Sequence, residues 1–425
     1  MSFYGPYLIR TRNIDVAWRS CINTIIEKGI KQITEDKRQE TKETFCASIH
    51  LSDWQSGKLV PVNYIGLSQD TILENYVPQY LSSEKGEHVY TYGWAMRKRF
   101  MFNQLDFIKD QLGSGKSVVF AQLWNPATDV ANSNPPCINI VVFHKVNSKI
   151  HATVYLRSND MARAYPDDVV GVYTVFLTEV SSRFGGKKAM GTITTISGSA
   201  HIYETSINEL KQSFLGSLSA SNSNPRINEE CLAGPILLRS HNLSGVLSEL
   251  ETKFPKYSKP QDKQNFFYLY FGFKLEEIDL ELKEFVNQAE RIVNGEGELG
   301  KGLRFYNSKT DEGMPITIDQ IESAKRKLEE SHQSRRIIIT PNNPWEKRYD
   351  LNPLIIQFLL RQGCLFTSVL FADYSIKHIL PGVYLIKAIQ NEVLNGNKYR
   401  LGPTAFFFMP SNNSSRTIDF SDIQG

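Results

Sequence analysis

A chain of 425 residues with 41% apolar and 22% charged side chains is long enough for two domains with full cores, and its composition is that of a globular protein. Its 48 basic and 45 acidic residues leave a net charge of only +3, too even for the broad basic footprint of a nucleic-acid binder. No apolar run reaches the ~18 residues of a membrane span; five scattered cysteines, Cys21, Cys46, Cys137, Cys231 and Cys364, form no CxxC pair, so neither a disulfide framework nor a metal site is expected and a cytoplasmic setting is.

The opening MSFYGPYLIRTRNID leads into no signal-peptide core. Residues 14–33 carry apolar side chains at helical spacing and 44–52 read as a strand. A helix over 101–112 leads through Gly113-Ser114-Gly115 into a strand at 117–124, followed by strands at 137–144 and 150–157. A helix from about Asp168 to Phe184, a strand near 190–197 and a helix at 204–216 complete the first half. This order is α+β around one large sheet, without the regular alternation of a parallel α/β fold. Gly115-Lys116-Ser117 suggests a phosphate-binding loop, but the required first glycine is Asp110 and the segment precedes a strand instead of following one.

The Ser- and Asn-rich stretch 217–227 predicts a linker, with domains over 1–220 and 228–425; 294–302 (NGEGELGKG) is a second candidate for flexibility. The halves match when slid past each other. Asn125-Pro126 meets Asn343-Pro344, Pro136 meets Pro353, Pro166 meets Pro381, and HVYTY at 88–92 resembles GLRFY at 302–306, all at nearly constant spacing. The chain therefore reads as two tandem copies.

The first half also carries an ordered series of short motifs: Arg38 in a DKRQET turn, Tyr92-Gly93, Trp124-Asn125-Pro126, Pro135-Pro136-Cys137, Arg157-Ser158-Asn159-Asp160, Pro166-Asp167-Asp168 and His201-Ile202-Tyr203. Each alone is weak. Together, over residues 36–203, they make the chain resemble the thymidylate synthase superfamily, which includes the nucleotide hydroxymethylases. The resemblance implies a thymidylate synthase-like α+β fold and a folate-dependent one-carbon transferase that acts on a pyrimidine nucleoside monophosphate, with 5,10-methylenetetrahydrofolate as cofactor and no direct role for nucleic acid or membrane.

What it implies for single residues follows. Cys137 is the nucleophile that adds to C6 of the base; an isolated cysteine at a strand start is ordinarily structural, and nearby arginine charge is expected to lower its pKa. Arg38, Arg157 and Ser158 belong to the phosphate clamp, since guanidinium forks hold phosphate oxygens bidentately. Asp160 matches the residue that binds the pterin ring of the folate, His201 and Tyr203 the pair that holds a sugar hydroxyl, and Tyr92 a tyrosine near C5. Asp168 stands where thymidylate synthases carry asparagine and cytidylate-directed relatives often carry aspartate. A protonated carboxyl there can donate to cytosine N3; an N-cap is the alternative role for Asp167 or Asp168.

Family enzymes are dimers in which each phosphate site borrows an Arg-Arg pair from the partner. The first copy has Lys116-Ser117 at that position and the second has Arg335-Arg336, while Leu354 stands opposite Cys137. The expectation is a fused pseudodimer packed through its sheets, a monomer with one complete site, whose further association is left open. The family's catalytic glutamate has no clear match, Glu74 being a guess, and the C-terminal TIDFSDIQG does not resemble the apolar tail of thymidylate synthases. A less sealed site favours hydroxymethylation, so a cytidylate or deoxycytidylate hydroxymethylase leads; thymidylate synthesis from dUMP and an inert nucleotide-binding homologue are the alternatives.

Overall fold

A computed structural model of the chain describes residues 6–35, 38–52, 59–85, 90–146, 148–215, 236–238, 242–253, 269–275, 282–346, 352–372, 376–394 and 399–409. The expected linker at 217–227 and the TIDFSDIQG segment lie outside those residues, as does Cys231. Two compact units emerge: Met1–Gly234 with Gln333–Arg336, and Pro235–His332 with Ile337–Gly425. Arg335 and Arg336, counted with the second copy from sequence, thus group with the first unit.

In the first unit the strands are β1 (Tyr7–Thr11), β2 (Ile30–Ile33), β3 (Glu40–Leu51), β4 (Val118–Gln122), β5 (Ile138–Val146), β6 (Lys149–Leu156), β7 (Asn159–Asp160) and β8 (Met190–Tyr203). They form one sheet in the order β1-β3-β8-β6-β5-β4, with β2 paired to β3 and β7 to β8. Starting from β4, successive pairings are antiparallel, antiparallel, parallel, antiparallel and parallel.

The helix Ile14–Lys28 begins where the Asn13 side chain accepts the Asp15 amide at 2.7 Å. Its 3.6-residue period puts Ile14, Ala17, Trp18, Cys21, Ile22 and Ile25 on one buried stripe within the unit's apolar core. Burying those side chains contributes roughly 1.5–3 kcal/mol for each large one. Trp18 also donates its indole N–H to the Met161 carbonyl at 2.6 Å, anchoring the turn that follows β7.

The second unit repeats the plan. Strands β9 (Ile236–Leu237), β10 (Leu269–Lys274), β13 (Ile337–Ile339), β14 (Ile355–Arg361), β15 (Cys364–Phe371) and β16 (Arg400–Phe408) lie in the order β13-β14-β15-β16-β10-β9, while β11 (Tyr306–Lys309) and β12 (Pro315–Ile318) make a separate hairpin. From β13 outward the pairings are again antiparallel, antiparallel, parallel, antiparallel and parallel.

The likeness extends to single hydrogen bonds. Buried Gln104, at the start of the helix Gln104–Gly113, donates to the Ala95 and Gln122 carbonyls at 3.2 and 2.9 Å and accepts the Gln122 amide at 3.0 Å. Gln320 opens the helix Gln320–Glu330 and donates to the Gly302 and Thr340 carbonyls at 2.8 and 2.9 Å, accepting the Thr340 amide at 2.9 Å. In each unit one amide side chain satisfies three backbone groups that would otherwise be buried unpaired. Asn125 and Asn343 likewise accept the amides two residues on, at 3.1 and 3.2 Å.

Some local expectations change. Gly302 and Ala95 play the same part in these bonds, so the helix Tyr92–Arg97 corresponds to Gly297–Arg304; of the expected match between 88–92 and 302–306, residues 88 and 89 lie outside the described residues. That helix also replaces most of the flexible stretch expected at 294–302; Gly295 ahead of it and Gly297 at its first position supply φ of +97° and +70°. The helix expected from Asp168 starts three residues earlier, at Tyr165.

Candidate active site

Cys137 sits one residue ahead of β5, in a loop that Arg157 grips from below. The Arg157 guanidinium donates to the Pro136 and Pro135 carbonyls at 3.0 and 2.8 Å, and its backbone amide donates to the Cys137 carbonyl at 3.0 Å. Arg157 therefore holds the loop that presents the thiol, a task beyond the phosphate contact expected of it. Burial pushes the Cys137 thiol up, against the downward pull of Arg157 and Arg335; the lowered pKa expected from nearby arginine charge is outweighed by desolvation. Asp168 and Asp160 also act on this thiol, so the carboxyls, the arginines and the Cys137 thiol share one neighbourhood.

Ser158 is buried, and buried Asn159 donates to Ser197 Oγ at 3.3 Å while β7 pairs with β8, setting Asp160 beside His201. The half-buried Asp160 carboxylate accepts the Ala162 amide at 2.9 Å. Burial raises its pKa, and backbone N–H groups with the charges of Arg163 and Arg335 oppose that rise. His201 is held well below its ordinary range, first by burial and then by Arg335, which keeps the imidazole neutral; its ring meets Tyr203 edge-on at 5.3 Å.

Asp167 and Asp168 lie in the first turn of the helix Tyr165–Gly171, but neither caps it: the cap is Ala164, without a side-chain hydrogen bond. Tyr64 donates to Asp167 at 2.9 Å, and Tyr76 and Tyr80 both donate to Asp168 Oδ1, at 2.6 and 3.0 Å. Burial pushes Asp167 up to about 7 and Asp168 up to about 6, with the phenol hydrogen bonds pulling each back. Tyr92 is buried, its ring 4.8 Å from that of Tyr80, and burial raises its phenol so that it keeps its proton.

Glu74, the guess for the missing glutamate, is exposed in the π-turn Ile72–Tyr76; the site-facing residues from this segment are Tyr76 and Tyr80. For Arg38 the structure gives its place only, exposed in the turn before β3. Arg335 pairs with buried Glu43 at 2.9 Å and donates to Thr41 Oγ1 at 3.3 Å, and Ser199 donates to the same Glu43 oxygen at 2.7 Å. Because Glu43 is the β3 partner of His201, this places Arg335 at the His201 end of the cluster. Arg336 donates to the Asn132 carbonyl at 2.7 Å and pairs with Glu35 at 3.0 Å.

Comparison with known proteins follows the same lines. A family model described as thymidylate synthase matches residues 63–228, inside the span of the first unit. A provisionally named thymidylate synthase of Methanosarcina barkeri is 30% identical over 201 residues, which cover 46% of this chain and 89% of that protein. The chain belongs to the thymidylate synthase family. A protein of the same provisional name from Methanocaldococcus jannaschii is 30% identical over 202 residues, 43% of this chain and 86% of that one. The solved thermostable thymidylate synthase A of Bacillus subtilis aligns with a TM-score of 0.40 at 20% identity, over 47% of this chain and 84% of its own. The fold is α+β and thymidylate synthase-like.

Of the expected site residues, then, Cys137, Arg157, Asp160, Asp168, Tyr92, His201 and Arg335 come together in this thymidylate synthase-like unit. Sequence reasoning missed Tyr64, Tyr76, Tyr80 and Glu43. Nothing in their local sequence marks them; only Tyr76 and Tyr80, four residues apart on a helical face, leave a faint signal. Among the described residues there is no cluster able to hold a metal and no helix long and apolar enough to cross a membrane.

Proposed function

We propose that the first unit is a folate-dependent C5 transferase acting on a pyrimidine nucleoside monophosphate, and specifically a cytidylate or deoxycytidylate 5-hydroxymethylase. The observation that carries the base assignment is Asp168: buried, with a carboxyl pushed up to about 6, it is the kind of acid that can present a proton to cytosine N3. Uracil carries N3–H at that position and has no lone pair to accept it.

In this reading the Cys137 thiolate bonds to C6, and charge displaced from the C5=C6 bond makes C5 a carbon nucleophile. The raised thiol pKa means that ionisation must accompany substrate entry, and the Arg157 and Arg335 charges favour it. Neutral His201 and Tyr203 orient a sugar hydroxyl. Arg335, Arg336, Arg157, Ser158 and Arg38 form the phosphate clamp, in which substrate phosphate competes with the Glu43 carboxylate for Arg335. The donor edge of a pterin fits Asp160, a half-exposed acceptor beside the nucleophile. Bound there, 5,10-methylenetetrahydrofolate would supply a one-carbon unit to C5 and leave as tetrahydrofolate, with water completing the hydroxymethyl group. Tyr92, as a retained phenol, orders water near C5.

The second unit reads as a degenerate copy. Its strand order and glutamine-bonded helix start match those of the first, which supports descent by tandem duplication. Thymidylate synthesis from dUMP is the second reading, favoured by the name its relatives carry. Mass spectrometry of products from CMP, dCMP, UMP and dUMP incubated with the folate separates the two. Addition of a hydroxymethyl group to a cytosine nucleotide is expected; a methylated uracil nucleotide with dihydrofolate would overturn the assignment.

A further inference from the structure

We propose that Tyr76 and Tyr80 are positioning residues that commit one oxygen of Asp168 to phenol hydrogen bonds, leaving the other as the single point at which this carboxyl meets the pyrimidine edge. The proposal rests on the reading of Asp168 as the residue that faces the base.

The geometry is specific. Both phenols donate to the same oxygen, Oδ1, at 2.6 and 3.0 Å. A carboxyl oxygen has two in-plane lone pairs, so Oδ1 is filled and a proton on the carboxyl belongs on Oδ2. Tyr76 closes the π-turn Ile72–Tyr76 and Tyr80 lies four residues on in the helix Val77–Leu81, so the two hydroxyls share a face. Two glycines make room for Tyr80. A Cβ at Gly171, one turn along the helix from Asp168, would meet the Tyr80 ring at 2.4 Å, and one at Gly93 would meet the Tyr80 carbonyl at 2.6 Å. The Tyr80 ring is further fixed between Tyr92 at 4.8 Å, Phe176 at 5.2 Å and Tyr76 at 5.7 Å. These contacts hold Tyr80 in a single place, and through it Asp168.

The chemical consequence is a proton donor aimed at one atom. As Cys137 Sγ bonds to C6 of a cytosine, the C5=C6 electron pair shifts through C4 to N3, and N3 takes the proton from Asp168 Oδ2. The carboxylate left behind keeps both phenol hydrogen bonds, which are stronger to the charged form. Without them the buried acid would hold its proton too tightly to give it up. The groups that act on Asp168 or feel its charge are Tyr76 and Tyr80 from the segment before it, Tyr90 and Tyr92 from the next helix start, Tyr64, Cys137, and its neighbour Asp167. Of these only Tyr76 and Tyr80 bond it directly among the described contacts.

The test is titration of the Asp168 carboxyl in the whole unliganded protein by carbon-13 NMR of labelled aspartate, assigned against Asp168→Asn. The wild-type midpoint is expected near 6. In Tyr76→Phe and in Tyr80→Phe, each checked for intact fold by circular dichroism, it should move up by about one pH unit, the scale of one lost hydrogen bond to a charged group. A midpoint that stays put in either folded variant overturns the proposal. If no cytosine nucleotide is turned over but the midpoint moves, the clamp stands and only the substrate assignment falls.

Discussion

The two units carry the same strand order and the same glutamine-bonded helix start, yet they differ at three positions of the expected site. The residue ahead of the second strand from the sheet edge is Cys137 in one and Leu354 in the other; the residue that follows the third is Arg157 in one and Ala372 in the other. Two residues past the helix proline stand Asp168 and Val383, both buried. Losing a charge at such a site removes a desolvation cost, so an apolar replacement in a copy under no chemical demand is the stable outcome. The shared backbone plan rests on buried amide hydrogen bonds that either sheet requires, whatever side chains stand at those three positions.

The widest separation between the copies is expected at the nucleophile. Cys137→Ser should lower exchange of the substrate C5 hydrogen by on the order of 10⁴ or more, and adding Leu354→Cys to it should restore nothing. Exchange that survives Cys137→Ser, or returns with the second change, would mean that the asymmetry has been assigned to the wrong residue. Next in size is a test of the likeness itself: Gln104→Ala and Gln320→Ala should each cost about 3 kcal/mol in denaturant unfolding, the low end of about 1–3 kcal/mol for each of three stranded backbone groups. A large loss at one position beside a negligible one at the other would limit the repeat to strand order. The smallest effect is the contribution of residues 333–336. Arg335→Ala, combined with Glu43→Gln so that no carboxylate is left buried alone, should weaken a nucleoside monophosphate by roughly 10- to 100-fold, the scale of one charged hydrogen-bonding contact, and leave the unphosphorylated nucleoside unchanged in calorimetry. Equal losses for both ligands would remove Arg335 from the phosphate clamp.

The grouping of several expected residues was legible in the chain because the motifs that carry them are local. Cys137 after two prolines, Arg157 through Asp160, and His201 with Tyr203 each occupy a few adjacent residues, and the sheet then brings those runs together. The arginine pair was suggested by the family resemblance, and the repeat located its position in the second half. What could not be read are pairs far apart in sequence and ordinary in type: Tyr76 and Tyr80 meet Asp168 across 92 and 88 residues, and Glu43 meets Arg335 across 292. Glu74 failed as a match for a geometric reason. The π-turn changes helix phase there, so the side chains that face the site come two and six residues later than the guess. The cap reading of Asp167 and Asp168 failed because Pro166 sits inside the first turn, where its missing N–H is harmless, and the helix therefore begins before it.

The inclusion of Gln333–Arg336 in the first unit has a consequence in time. These residues leave the ribosome about 100 residues after Gly234, which at roughly 5–20 residues per second is a delay of about 5–20 s. During that interval the rest of the first unit is fully synthesised, Cys137 and Asp168 included, while Glu43 has no Arg335 to neutralise it. Every newly made molecule thus passes through a stage in which Glu43 has been made and its counter-ion has not, and chains broken off before residue 333 never leave it.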